Sequence, residues 1–375
     1  MSIKKSFITY VFGFGRTELI NSDKIFAKEF FYGYFDFRAE YKSVSFIEFE
    51  NNIPNNFFNF LLTFMSKVLR KVTKLSFFLD NICTYKNFKV LLNSKNIILT
   101  NDRIGLSLLP FLIIFKVLRK PKSTVIVMGL LAKNTNNLVS HVSQRILLNL
   151  FFYSVDNFVF LSVNEYKQAI ISFKRFRNKF FFVPFCIDSK FWEDKELSNN
   201  KKNIIFVGND SNRRYDLVLE IARSLPEFNF IFVTSEINRN EINSNNIKFY
   251  KGSWNKQLLS DIELRELYST AYLSILPLKD SYQPSGQSVA LQSMSMGIPV
   301  LITKTIGFWD DVFFENKKNI LFIEDNNLIG WINKIQNISK NQKLQDLVSM
   351  ESKKLIEKEY NLENFYNSIK KIILE

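Results

Sequence analysis

Gln283-Pro284-Ser285-Gly286-Gln287-Ser288-Val289-Ala290-Leu291-Gln292-Ser293-Met294-Ser295-Met296-Gly297-Ile298-Pro299-Val300 reads as a loop, a short helix, a glycine stop and a strand. Pro284 and Gly286 punctuate the entry, Gly297 follows the last helical residue, and Pro299 leads into the apolar run Val300-Leu301-Ile302. At a helical period Ser288, Gln292 and Ser295 fall on one narrow stripe, and apolar side chains cover most of the remaining surface. Such a helix is buried, so its polar stripe needs partners. Its first turn, Gly286, Gln287 and Ser288, offers backbone amides and the positive end of a helix dipole, a combination that suits a phosphate. A small-residue helix packed in an α/β core, with no ligand, fits the same residues.

Around this stretch, short apolar runs alternate with helix-length segments. Ile204-Ile205-Phe206-Val207, Phe230-Ile231-Phe232-Val233, Ile247-Lys248-Phe249-Tyr250, Leu273-Ser274-Ile275-Leu276, Val300-Leu301-Ile302 and Ile320-Leu321-Phe322-Ile323 predict one doubly wound parallel sheet. Upstream, Phe7 to Phe12, Val44 to Ile47, Ile97 to Leu99, Thr124 to Val127, Phe158 to Leu161 and Phe180 to Val183 predict another. The polar run Glu193 to Asn203 has no apolar period and reads as a linker. The expected organisation is a first Rossmann-like domain over 1–192, a linker over 193–203, a second Rossmann-like domain over 204–351, and an amphipathic tail over 352–375 that packs back on the first. A helix is expected near Asn21 to Phe31 and another over Phe57 to Leu79.

The chain of 375 residues is 46% hydrophobic, enough to fill two cores, and carries a formal net charge of +14. Residues 1–190 hold 27 Lys+Arg against 12 Asp+Glu, whereas residues 191–375 hold 23 against 24. The basic half thus calls for an anionic partner such as a membrane surface, nucleic acid or an acidic substrate. Within it, Leu61, Met65, Val68, Val72 and Leu75 share one helical face, and Lys67, Arg70, Lys71 and Lys74 lie nearly opposite. That pattern suits either a helix packed on a core by its apolar face or one resting on anionic lipid. No recognisable nucleic-acid reading module is present, and no nucleic-acid partner is expected. Two cysteines and one histidine argue against a structural zinc site or a disulfide framework. The sequence has no long uncharged apolar run and no signal-peptide pattern at its start, so a cytoplasmic location is expected.

Open α/β sheets bind ligands at the carboxyl ends of their strands. There the second domain offers Gly208 after its first strand, followed by Arg213 and Arg214 at a helix start, and guanidinium groups grip phosphate oxygens bidentately. Pairing of these arginines with Asp210 and Asp216 is the alternative reading. In the first domain Gly13-Phe14-Gly15 forms a turn after the first strand, suited to a close backbone approach or simply to a tight turn.

Phe206-Val207-Gly208 with Arg213, Leu267 to Tyr272 leading to Leu276-Pro277-Leu278, the stretch Gly286 to Val300, and Val183 to Trp192 together make the sequence resemble the group 1, retaining, nucleotide-sugar-dependent glycosyltransferases of GT-B fold. The resemblance implies two Rossmann-like domains facing a cleft, an acceptor bound by the first and a nucleoside diphosphate sugar by the second. It also implies diphosphate contacts from Arg213, with Arg214 or Lys279, and from the amides of Gln287 and Ser288, next to Gln283, Ser285 and Gly286. Gly13 to Gly15 would close over the donor, and Gln292 would face its ribose. The family's two glutamates, eight positions apart, are here Pro284 and Gln292, a departure that opens the alternative of a catalytically silent glycan- or partner-binding protein. His141 is a candidate base or sugar contact, although a retaining reaction needs none. The expected function is sugar transfer to a hydroxyl of a glycan or lipid-linked acceptor at the inner membrane face, without metal or other cofactor.

Overall fold

The computed structural model describes residues 5–50, 56–133, 135, 137–193, 201–242, 244–252 and 259–374. Of the expected linker, residues 194–200 lie outside these. The chain divides into two compact units, Met1–Asp23, Phe31–Pro184 and Tyr366–Glu375 in the first and Lys24–Phe30 and Phe185–Phe365 in the second.

The strands of the first unit are β1 (Ser6–Phe12), β2 (Val44–Glu48), β3 (Ser94–Leu99), β4 (Lys122–Val127), β5 (Asn157–Phe160) and β6 (Phe180–Phe182). Those of the second are β7 (Asn203–Val207), β8 (Asn229–Val233), β9 (Ile247–Tyr250), β10 (Ala271–Leu276), β11 (Val300–Thr303) and β12 (Leu321–Ile323). Each set forms a parallel six-stranded sheet, in the orders β2-β1-β3-β4-β5-β6 and β12-β11-β10-β7-β8-β9. All twelve apolar runs are strands, because runs of this kind bury both faces of a sheet covered by helices. Val11 lies between Ile47 and Leu99, and Ile205 lies between Ser274 and Ile231. Each sheet reverses its winding once, between β1 and β3 and between β7 and β10. The crevice of an open α/β sheet forms at such a switch point.

Three helical expectations are corrected. The segment 21–31 does not form one helix; a short helix Arg16–Ile20 precedes an irregular stretch and a 3-10 turn, Glu29–Phe31. Tertiary partners occupy that stretch instead, since the Ala27 amide donates to Asp261 Oδ2 (2.9 Å) and Glu29 is buried. The helix expected over 57–79 stops at Thr73, where Lys74 adopts a left-handed φ of 60°. Beyond it Leu75, Phe77 and Leu79 enter the core at a period of two. The tail is two helices, Gln342–Glu359 and Leu362–Leu374. They part at Tyr360, whose carbonyl accepts from the Ile187 amide (2.9 Å) and whose hydroxyl donates to Asp310 Oδ2 (2.7 Å). In the final helix Tyr366 and Lys370 bond Glu40 of the first unit.

Candidate functional site

The opening stretch folds as its punctuation dictates. Gly286 takes a φ of 83° and caps the helix Gln287–Ser295, and Gly297 takes a φ of 66° before β11. Gln287, Val289 and every residue from there to Ser295 are buried, so the polar side chains among them need partners inside the fold.

At the switch point of the second sheet, Gly208 follows β7 and Pro277-Leu278 follows β10. Arg213 forms an antiparallel bridge to Leu278, the Arg214 amide donates to the Pro277 carbonyl (3.0 Å), and the Lys279 amide donates to the Asn212 carbonyl (2.8 Å). The segment 208–214 is thereby tied across the ends of both strands. The Asn212 side-chain amide donates to Ser285 Oγ (2.9 Å), which carries the tie to the start of the 287–295 helix.

Arg213 is the centre of this arrangement. It is only 3% exposed, and a Cβ at Gly208 would lie 2.5 Å from its Nε while one at Gly286 would lie 3.1 Å from Nη1. The guanidinium therefore runs between two glycine turns, and no larger residue fits at Gly208 without displacing it. Nη2 meets Asp210 Oδ2 at 3.4 Å, but Nε and Nη1 are buried with no hydrogen-bond partner. Buried, unpaired guanidinium nitrogens are costly and call for an acceptor. Their neighbour is the helix N-terminus, where first-turn amides lack intrahelical acceptors and the dipole is positive.

The other sequence candidates divide clearly. Ser285, Gly286 and Gln287 are buried beside Arg213 and Ser288 is half-buried in the first turn, whereas Lys279 is exposed with Nζ on the Ser211 carbonyl (3.1 Å). Gln283 is half-buried, and its carbonyl accepts from the Ser285 amide (2.7 Å). Arg214 points elsewhere, to the Asn326 carbonyl and Asp216, each at 3.3 Å. Gln292, 4% exposed, donates through Nε2 to Glu29 Oε1 (2.9 Å). Gly13, Phe14, Gly15 and His141 belong to the first unit. Gly15 has a φ of 86°, and a Cβ at Gly13 or Gly15 would meet nothing within 4 Å. His141 is exposed in the first turn of the helix Leu138–Ser154, its Nδ1 3.4 Å from Thr135 Oγ1.

Glu29 was not legible as a site residue. It is 1% exposed, and its Oε1 accepts from both Gln292 and Trp192 Nε1 (2.8 Å), while Oε2 is buried without a partner. Burial pushes its carboxyl up to about 7, against the lowering effect of the Gln292 and Trp192 hydrogen bonds. Nothing in its local sequence, Ala27-Lys28-Glu29-Phe30, separates it from a solvated acid.

A second region lies on the first unit. In the helix Phe57–Thr73 the buried positions are Leu62, Ser66 and Thr73. The apolar stripe read from the sequence faces outward: Leu61, Met65 and Val68 are exposed, together with Phe57, Phe58, Phe60 and Phe64. The Leu138–Ser154 helix packs beside it, with Gln144 Nε2 on the Thr73 carbonyl (3.1 Å), and exposes Val139, Val142, Ile146 and Tyr153 at helical spacing. Neither helix contains an acidic residue, and they carry Lys67, Arg70, Lys71 and Arg145.

These features define a protein of the GT-B class, with two Rossmann-like units. Residues 188–361 match the family described as Glycosyl transferases group 1. No curated protein matches the sequence. Among solved structures it is similar to HepE of Anabaena in complex with UDP and glucose (12% identity, TM-score 0.67, 99% of this chain and 100% of that one). It is also similar to a glycosyltransferase from Rickettsia africae (11%, TM-score 0.63, 98% of each). Sucrose-phosphate synthase from Thermosynechococcus elongatus is a third (11%, TM-score 0.65, 97% of this chain and 98% of that one). At these identities the likeness speaks for the fold.

Among the described residues, no group of three or more His, Cys, Asp or Glu lies close enough together to hold a metal ion, and no helix is long and apolar enough to cross a membrane.

Proposed function

We propose that the protein transfers a sugar from a nucleoside diphosphate sugar to a hydroxyl of a glycan or lipid-linked acceptor. The observation that carries this is the buried Arg213, with Nε and Nη1 unpartnered between Gly208 and Gly286 at the 287–295 helix N-terminus. The match of residues 188–361 to the group 1 glycosyl transferases and the UDP and glucose bound by HepE support the donor class. Arg213 and the first-turn amides of Gln287 and Ser288 hold the diphosphate, and the bond from the sugar's anomeric carbon to it breaks as the acceptor oxygen bonds to that carbon. The acceptor's proton passes to the departing diphosphate oxygen, so that transfer proceeds with retention and without an enzymic base. Catalysis then rests on positioning and on charge stabilisation in a dry site. The same cationic groups neutralise the diphosphate in this reading, so no metal ion is required.

The first unit binds the acceptor and rests on the cytoplasmic face of an anionic membrane. Its support is the exposed aromatic stripe of the Phe57–Thr73 helix beside Lys67, Arg70 and Lys71, a pattern that inserts apolar side chains between anionic headgroups. A catalytically silent binding protein is the second reading, favoured by Pro284 and by the engagement of Gln292 with Glu29. A panel of radiolabelled nucleotide sugars, assayed for transfer and for hydrolysis with wild type and Arg213→Ala, tests the proposal. Turnover that Arg213→Ala abolishes supports the transferase, and absence of transfer and hydrolysis with every donor overturns it and selects the second reading.

A further inference from the structure

The 287–295 helix has a phosphate-directed N-terminus, and the polar side chains along its length differ in what they hold. Ser293 Oγ returns to its own helix at the Val289 carbonyl (2.8 Å), and Ser295 Oγ reaches the Ser189 carbonyl at 3.4 Å. Gln292 reaches furthest along the chain: its amide donates to Glu29, on the Lys24–Phe30 segment that belongs to this unit. The segment is itself fixed by the Ala27 amide on Asp261 and the Lys28 amide on Asp188. Trp192 completes the arrangement, donating to the same Glu29 oxygen and standing edge-on to Tyr268 at 5.9 Å between ring centroids.

We propose that Glu29 is a positioning residue of the donor site, a latch whose carboxylate fixes the 287–295 helix through Gln292 and Trp192. This rests on the donor reading of Arg213. Two N–H groups converge on one oxygen, the geometry of an anion held by donors, and charge-assisted bonds of this type are about twice as strong as neutral ones. The second oxygen, buried and unpartnered, makes the ionised state costly, so the latch engages at the alkaline side of neutrality and slackens below it. The titratable and charged groups around it are Asp261 and Tyr268 of the neighbouring helix, Arg213 acting across Tyr268, and Lys28 and Asp188 beside the segment. Asp261 opposes ionisation of Glu29.

The experiment combines a spectroscopic signal with a binding constant. Trp192 fluorescence, taken as the difference between wild type and Trp192→Phe, is expected to titrate near neutral pH. Glu29→Gln is expected to abolish that titration, and Gln292→Leu to move its midpoint upward by removing a donor. With UDP-glucose as probe, Glu29→Ala should weaken binding about tenfold by leaving two buried N–H groups unpaired. Glu29→Gln, which keeps a carbonyl acceptor, should match wild type at pH 5.5 and bind about fivefold more weakly at pH 8.5. UDP-glucose serves better than UDP because its diphosphate does not titrate in this range. A Trp192 signal that is flat, or unchanged by Glu29→Gln, overturns the latch. Folded variants with lowered Tm and unchanged UDP-glucose affinity overturn the positioning role in favour of a structural one. Should wild type fail to bind UDP-glucose, the donor reading loses its support, and the Trp192 titration still judges the latch.

Discussion

Replacement of Arg213 by Ala separates a binding role from a structural one, because the two predict opposite signs. In the unliganded protein the guanidinium is 3% exposed and holds one long ion pair to Asp210, with Nε and Nη1 unpartnered. Truncation removes the buried stem beyond Cβ, a loss of about 1.5 kcal/mol at roughly 0.8 kcal/mol per methylene. It also relieves two unsatisfied N–H groups, each costing about 1–3 kcal/mol. These terms offset, so the apo protein should keep its Tm or gain slightly. With a donor bound, the same nitrogens make charge-assisted bonds worth about 1.5–3 kcal/mol each. Their loss should cost about 3–6 kcal/mol, or roughly a hundredfold to ten-thousandfold in affinity. Calorimetric titration with UDP-glucose, beside thermal unfolding without ligand, reads both quantities. A marked fall in apo Tm with unchanged affinity would refute the reasoning and make Arg213 a core residue.

Gly208→Ala places a methyl 2.5 Å from Arg213 Nε and should therefore lower donor affinity at least tenfold while the fold persists, as seen by circular dichroism and titration. Transfer activity should survive exhaustive treatment with a chelator; its loss, restored by a divalent ion, would contradict the metal-free reading. Phe60→Ser with Phe64→Ser should reduce sedimentation with anionic vesicles without lowering Tm, since both side chains are exposed, and unchanged sedimentation at high salt and low salt would discard that helix as the docking face. Glu165 is buried beside the Gly129 and Leu131 amides, which donate to it, and desolvation pushes its carboxyl up to about 8. An acid raised above its unfolded value binds more protons when folded, so first-unit stability should fall between about pH 4.5 and 8, by at most about 5 kcal/mol, and Glu165→Gln should flatten that slope in pH-dependent chemical denaturation.

All twelve strands were legible because buried parallel strands write themselves as apolar runs bounded by turn residues. The start of the 287–295 helix was legible for a similarly local reason: Gly286 and Gly297 are needed at φ values that other residues resist. Helix ends and faces were less accessible. The stripe Leu61, Met65 and Val68 has the right period, but period alone does not say whether an apolar face meets a core or solvent; here Leu62, Ser66 and Thr73 take the inner side. The helix expected near Asn21 to Phe31 failed because its backbone and Glu29 are claimed by residues far along the chain.

The sequence by itself thus determined the two α/β sheets and the turn glycines, both of which depend on neighbours within a few positions. Tertiary structure decided which of two adjacent arginines is buried between Gly208 and Gly286 and which is spent on Asn326 and Asp216. It also brought Glu29 to Gln292 across 263 positions. Local pattern cannot specify such pairings, because they are fixed by the packing of segments whose contact is set only when the whole unit closes around them.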